Sequence, residues 1–216
     1  MNKRQKLKKI KKKNKQLIEK YPFLLPRNVW TDKLDPTYNY SFTELDCMPI
    51  GWKKAFGELL CEDIKNELIK SGKLDDYRVQ QIKEKYGTLR WYDNFNVGDM
   101  QNILMKYEHI SEFICVMCGK VNVPIYNDGW VCPYCDSCYK QSWNNRKYKP
   151  NKSYESYKIY EPMLTAQFKV TQFSKEGEKT EILDCSDILI RMGIDIKTLP
   201  TLEEAEEYAN SHQEEI

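Results

Sequence analysis

Apolar side chains recur at helical spacing along several stretches of the chain and alternate along others. Residues 3–21 place Leu7, Ile10, Leu17, Ile18 and Tyr21 on one stripe among lysines. That spacing predicts a basic amphipathic helix, which Tyr21-Pro22 ends. Residues 22–48, with prolines at 22, 26 and 36, read as irregular. The clearest helix spans 50–71, where Trp52, Phe56, Leu59, Leu60, Ile64 and Leu68 repeat and Ser71-Gly72 supplies the stop. The run YRVQQIKEKYGTLRWYD, 77–93, fits two strands around a turn near Lys85-Tyr86-Gly87. Leu89 and Trp91 face one way there, Arg90 and Tyr92 the other. A further helix over 99–113 carries Ile103, Tyr107 and Ile110 on one side.

Residues 163–173 alternate, with Leu164, Ala166, Phe168 and Val170 on one face. SKEGEK then turns the chain into a second strand over 180–184. Ser186 is placed to cap a short helix stopped by Gly193. Thr201-Leu202-Glu203-Glu204 forms a capping box that opens a last helix over 202–211. The expected fold class is α+β: small β-hairpins and packed helices around a four-cysteine, zinc-ribbon-like module. The expected organisation is a basic helical arm (1–21), an α+β core (22–140) holding the zinc module (99–140), a basic and aromatic linker (141–162) and an acidic C-terminal hairpin with helices (163–216).

At 216 residues the chain accommodates one domain or two small ones. Aromatic residues at 12% argue against disorder along most of it. No apolar stretch approaches the roughly 18 residues of a membrane span. The opening lysines have no apolar region behind them, so a secretory signal is not expected. The formal net charge of +2 hides an asymmetry: residues 1–20 hold ten Lys/Arg and one acid, whereas 174–216 hold twelve acids and four bases. Such ends serve as solvated tails or as contacts to oppositely charged partners.

Five of the eight cysteines fall within 24 residues: Cys115, Cys118, Cys132, Cys135 and Cys138. In a reducing compartment, clustered C-x2-C pairs read as a metal site and not as a disulfide framework. Two thiolates on each of two tight turns complete a tetrahedron, and four sulfur ligands favour a closed, structural Zn2+ site. Gly119 after the first turn frees backbone N–H groups to approach the sulfurs. Cys115 and Cys118 form one knuckle. Spacing allows the other to be Cys132/Cys135 or Cys135/Cys138. Trp130 stands where its indole would shield the thiolates from water. Cys47, Cys61 and Cys185 read as small core residues.

Signs of catalysis are scarce. Of two histidines, His109 and His212, the first lies on the 99–113 helix. It reads as a helix-surface residue or a neighbour of the metal site, not a catalyst. His109-Ile110-Ser111-Glu112 has the wrong spacing for a zinc deaminase. The glycine-rich phosphate cradles are absent from the sequence. A non-catalytic protein is the expectation.

The blocks GWKKAFGELLCEDI (51–64), QIKEKYGTLRWY (81–92) and YEHISEFICVMCGK…GWVCPYCDSC (107–138) together resemble a family of small, uncharacterised zinc-ribbon proteins of phages and prophages. The likeness covers about residues 50–140. It implies a mobile-element origin and a bacterial cytoplasmic setting. It also implies that the last two ligands match Cys135 and Cys138, giving Cys115, Cys118, Cys135 and Cys138 as the metal set. The chain is similar in kind to zinc-binding anti-CRISPR proteins of type II systems.

That resemblance implies an inhibitor that binds a host RNA-guided CRISPR effector nuclease directly and blocks DNA loading or activation. The acidic stretch 174–216 would enter a basic DNA channel, with charge steering the encounter. The alternative is a nucleic-acid-binding or transcription-regulating accessory protein that contacts phosphates through residues 1–20 and 140–158. No membrane partner is expected.

Overall fold

The computed structural model describes residues 2–28, 30–127, 129–145, 157–160, 163–174 and 177–211. Helix α1 (Lys3–Lys20) starts at Asn2, whose side chain accepts from the Gln5 N–H at 2.9 Å while Gln5 reaches back to the Asn2 N–H at 3.0 Å. This reciprocal pair satisfies two N–H groups that a helix start leaves free. Only the C-terminal half of α1 is anchored. Asn14, Leu17 and Ile18 are buried, and the Asn14 side chain donates to the Tyr40 carbonyl at 3.0 Å. Leu7 and Ile10 remain 45% and 48% exposed.

The helix expected over 50–71 is interrupted. Its parts are α2 (Ile50–Trp52), a π-helical turn (Lys53–Gly57) and α3 (Glu58–Lys70). The apolar positions keep their register well enough to bury Trp52, Phe56, Leu60, Ile64 and Leu68 in one core. The wide turn falls where Gly51 and Trp52 are tied to the chain around the first cysteine pair, so a tertiary contact overrides regular helix here.

Strands β1 (Val79–Lys85) and β2 (Thr88–Asp93) pair antiparallel. Tyr86 and Gly87 both have positive φ, 54° and 81°, which matches the right-handed twist of a two-residue hairpin. The hairpin lies on α4 (Met100–Ser111), with the Leu89 N–H donating to Ser111 Oγ at 2.8 Å and Arg90 paired with Glu108. Short strands β3 (Ile125–Asn127) and β4 (Val131–Pro133) follow, then α5 (Asp136–Asn145). Strand β5 (Tyr157–Tyr160) adds to β3, giving the order β4-β3-β5. The expected linker over 141–162 therefore begins inside a helix and contains a strand; residues 146–156 and 161–162 lie outside the described residues.

Strands β6 (Gln167–Ser174) and β7 (Gly177–Asp184) form the C-terminal hairpin, followed by α6 (Ser186–Arg191) and α7 (Leu202–Ser211). Thr201 and Glu204 make the capping box: the Thr201 N–H donates to the Glu204 carboxylate at 2.8 Å and the Glu204 N–H to Thr201 Oγ1 at 3.2 Å. Ser186 is not a cap. It is the first helical residue, and its N–H is taken by Asp184 Oδ1 at 2.7 Å. Leu164, Phe168, Leu183, Ile188 and Leu189 join the same core as Leu17, Trp52 and Tyr107. Two of the three isolated cysteines are buried as expected, Cys61 and Cys185, but Cys47 is exposed at the end of a 3-10 turn.

The fold is α+β, with a cysteine cluster between its helices and hairpins. Among the described residues, no helix is long and apolar enough to cross a membrane.

Candidate metal centre

The chain leaves α4 through the turns at Phe113 and Ile114, and Ile114 bridges Val121 in an antiparallel pair. Between them lies the first knuckle. The Cys115 N–H donates to the Lys120 carbonyl at 2.9 Å, and the Gly119 N–H to the Cys115 carbonyl at 3.0 Å. Gly119 takes φ +85°, a conformation that a side chain resists. The glycine matters for another reason besides. A Cβ on it would lie 2.8 Å from the Gly51 carbonyl oxygen.

The second knuckle opens at the end of β4. There the Tyr134 N–H donates to the Pro124 carbonyl at 3.1 Å, and Cys135 and Cys138 stand at the start of α5. The Val116 N–H donates to the Pro133 carbonyl at 3.1 Å, so the two knuckles share backbone hydrogen bonds.

This network brings Cys115, Cys118, Cys135 and Cys138 together, with all four sulfurs within 4.8 Å of one another. The Cys118 and Cys135 sulfurs are 3.7 Å apart. A tetrahedral ion with bonds of roughly 2.3 Å to sulfur requires edges of roughly 3.8 Å. The donor set therefore fits a metal ion. Cys132, the competing candidate, is buried in the main core and lies outside this set. It sits within a strand, opposite Tyr126, whereas Cys135 lies past the strand end, where the chain turns.

The thiols differ electrostatically. Burial pushes the Cys115 thiol up. At Cys135 burial also acts upward, but hydrogen bonds from the Ser137 hydroxyl and the Cys138 N–H bring the thiol down to about 6. Cys138 is pushed up by burial and by its sulfur neighbours Cys135 and Cys118. Four thiols this close cannot all ionise without a cation among them. Val123 is buried against the cluster, with Met117 and Tyr134 packed beside it.

Trp130 does not shield the sulfurs. It is 60% exposed, and its Nε1 donates to Glu84 Oε2 at 2.9 Å, tying the loop before β4 to strand β1. His109 is half-buried on α4 and is not among the residues packed on the cluster. Its ring stacks on Phe168 at 4.0 Å and meets Phe113 edge-on at 5.1 Å. Its Nε2 has no hydrogen-bond partner among the described residues.

Sequence reasoning missed Gly51, which holds the knuckle to α2. A Cβ there would lie 2.0 Å from the Cys115 carbonyl oxygen, and its N–H donates to the Val116 carbonyl at 2.8 Å. The buried Trp52 Nε1 donates to the Ile114 carbonyl at 2.7 Å. A glycine next to a tryptophan at a helix start was the available signal.

No protein-family model, curated protein or solved structure matches this chain.

Proposed function

We propose that this chain is a non-catalytic binding protein, stapled by one structural zinc ion, that acts in the bacterial cytoplasm by docking on a host RNA-guided effector nuclease. Zinc is the ion of choice because the donors are four thiolates with no open coordination position for a substrate. The observation that carries the binding role is the segregation of charge onto separate elements. Helix α1 presents its lysines from an end that the body does not cover. Exposed Glu203, Glu204 and Glu207 lie on α7, with Asp184 and Asp187 at the β7–α6 junction. Exposed acidic elements of this kind suit the basic DNA channel of a nuclease, and steering by charge speeds such encounters.

A second reading is favoured by α1 alone: a projecting cationic helix contacts phosphates, and its binding then weakens steeply with salt. The test is capture of a purified type II effector together with a gel shift on naked DNA. Capture at one-to-one stoichiometry with loss of DNA cleavage, and no shift of free DNA, is the expected result. Salt-sensitive DNA binding that disappears on removing residues 1–20, without effector capture, overturns the inhibitor reading in favour of the second.

A further inference from the structure

A sizeable concavity lies away from the metal cluster. It is a groove of about 840 Å³ between α1, the loop around Phe42 and the π-helical turn. Ile10, Leu17, Phe42, Ile50 and Leu59 line it. Three of these are conspicuously uncovered: Ile10 at 48%, Phe42 at 46% and Ile50 at 60% exposed. The apolar stripe of α1 continues beyond the groove to Leu7. One wall is the π turn Lys53–Gly57, and such turns concentrate at functional sites.

The rim is cationic. Lys13 and Lys54 are exposed along it, and Lys6 and Lys9 flank the same stripe one and two turns toward the N-terminus. Of the acids that line it, Asp46 is held by Lys53, which leaves Glu58 against these lysines.

We propose that this groove receives an acidic amphipathic helix of the partner protein, its apolar face on Ile10, Phe42 and Ile50 and its carboxylates on Lys6, Lys9, Lys13 and Lys54. The proposal rests on the protein-binding reading above and supplies a docking surface for it. Helix-in-groove recognition lays the apolar face of an amphipathic helix, with anchors at i, i+3/i+4 and i+7, into an apolar groove, and Ile10, Phe42 and Ile50 supply that groove here. Of the three exposed floor residues only Phe42 carries a ring, which gives nucleic-acid bases little to stack on. A second copy of this chain would bring two strongly basic α1 helices together, which charge repulsion opposes. At 18 residues, α1 is about 27 Å long and matches a partner helix of about five turns.

The test uses the full-length, zinc-loaded chain and two fluorescein-labelled peptides of about five helical turns built from Glu, Leu and Phe. One has its apolar residues on a single face; the other has the same composition in shuffled order. Binding is read by anisotropy for the wild type, Ile10→Glu and Ile50→Glu. Both sites are exposed, so melting and metal content should stay unchanged and certify the fold. The amphipathic peptide is expected to bind at least tenfold more tightly than the shuffled one. Each substitution should remove about tenfold of that affinity, in keeping with the burial of one aliphatic side chain.

Equal binding of the two peptides means that charge alone acts, and overturns the proposal. So does wild-type affinity in both variants. A dimer seen by sedimentation that Ile10→Glu dissociates, without peptide binding, assigns the groove to a second copy and also overturns it. Two outcomes separate this proposal from the inhibitor reading. Effector capture that survives both substitutions removes the groove and keeps the inhibitor. Tight, face-dependent peptide binding by a chain that ignores the effector keeps the groove and removes the inhibitor.

Discussion

Gly51 and Gly119 pack backbone to backbone, with the Gly119 Cβ position only 2.8 Å from the Gly51 carbonyl oxygen. In the reverse direction a Cβ on Gly51 would sit 2.8 Å from the Gly119 nitrogen, and closer still, 2.0 Å, to the Cys115 carbonyl oxygen. Neither obstacle is a flexible side chain that can swing away. Gly51→Ala should therefore force the first knuckle off α2 and cost about 3 kcal/mol, the upper range for overpacked cores. Urea unfolding of the metal-loaded protein measures this. A midpoint equal to wild type would show that the contact is looser than described.

Removing the ion should unfold the region around β3, β4 and the knuckles, because metal binding there is part of the folding free energy. Cys115→Ser and Cys135→Ser should bind no metal by native mass spectrometry. Cys132→Ser should retain one equivalent and lose only about 1–2 kcal/mol, the cost of a hydroxyl in an apolar setting. Metal loss from Cys132→Ser, with retention in Cys138→Ser, would reverse the ligand assignment.

Arg191 grips Asp63 with both terminal nitrogens, at 2.7 and 2.8 Å, and Tyr107 donates to the same carboxylate at 2.6 Å. This joins α6 to α3 and α4, elements 128 positions apart in sequence at the Arg191–Asp63 pair. Asp63→Ala removes the acceptor of the buried Tyr107 hydroxyl and leaves Arg191 with only Tyr107 and the exposed Asp187, and should cost about 2 kcal/mol. Arg191→Ala exposes the carboxylate to water and should cost less. Thermal melting of the two variants checks that order.

His109 gives the protein an acid sensitivity of its own. Burial under Phe168 lowers its pKa from the ordinary 6.5 to about 4. The unfolded chain then binds the proton more readily, so this stability is full above pH 6.5 and is lost as the pH falls toward 4. At pH 5 the loss amounts to about 2 kcal/mol. His109→Gln should be less stable than wild type at pH 7 and should lose less between pH 7 and pH 5. Comparing the two proteins at saturating zinc cancels the shared pH dependence of the thiolates. Parallel pH profiles would show that the imidazole is not the sensor.

Local signals in the sequence carried much of this architecture. The β1–β2 hairpin and the last helix were legible because their turn and cap are chemical: Tyr86-Gly87 supplies two positive φ values, and Thr201 with Glu204 closes a box. The four sulfurs were legible only in part. Spacing left Cys132 and Cys138 as rivals, and the choice came from the family likeness. What separates them is where β4 ends, which the sequence signals weakly over three residues. The π turn, the stacking of His109 and the partner of Trp130 were not legible, because each is decided by a contact far along the chain. Phe168 is 59 residues from His109, and Glu84 is 46 from Trp130. The exposed Cys47 follows from the same cause, since its 3-10 turn is set by the Thr43–Asp46 box and not by apolar spacing.

The junction of Gly51 and Trp52 with the first knuckle bears on any attempt to transplant the cysteine segment. An excised finger would carry away an Ile114 carbonyl that the buried indole satisfies and a Val116 carbonyl that the Gly51 amide satisfies. A working graft must include the GW-bearing helix as its pedestal, and a chimera built from the cysteine-rich stretch alone should precipitate or stay molten even with zinc supplied.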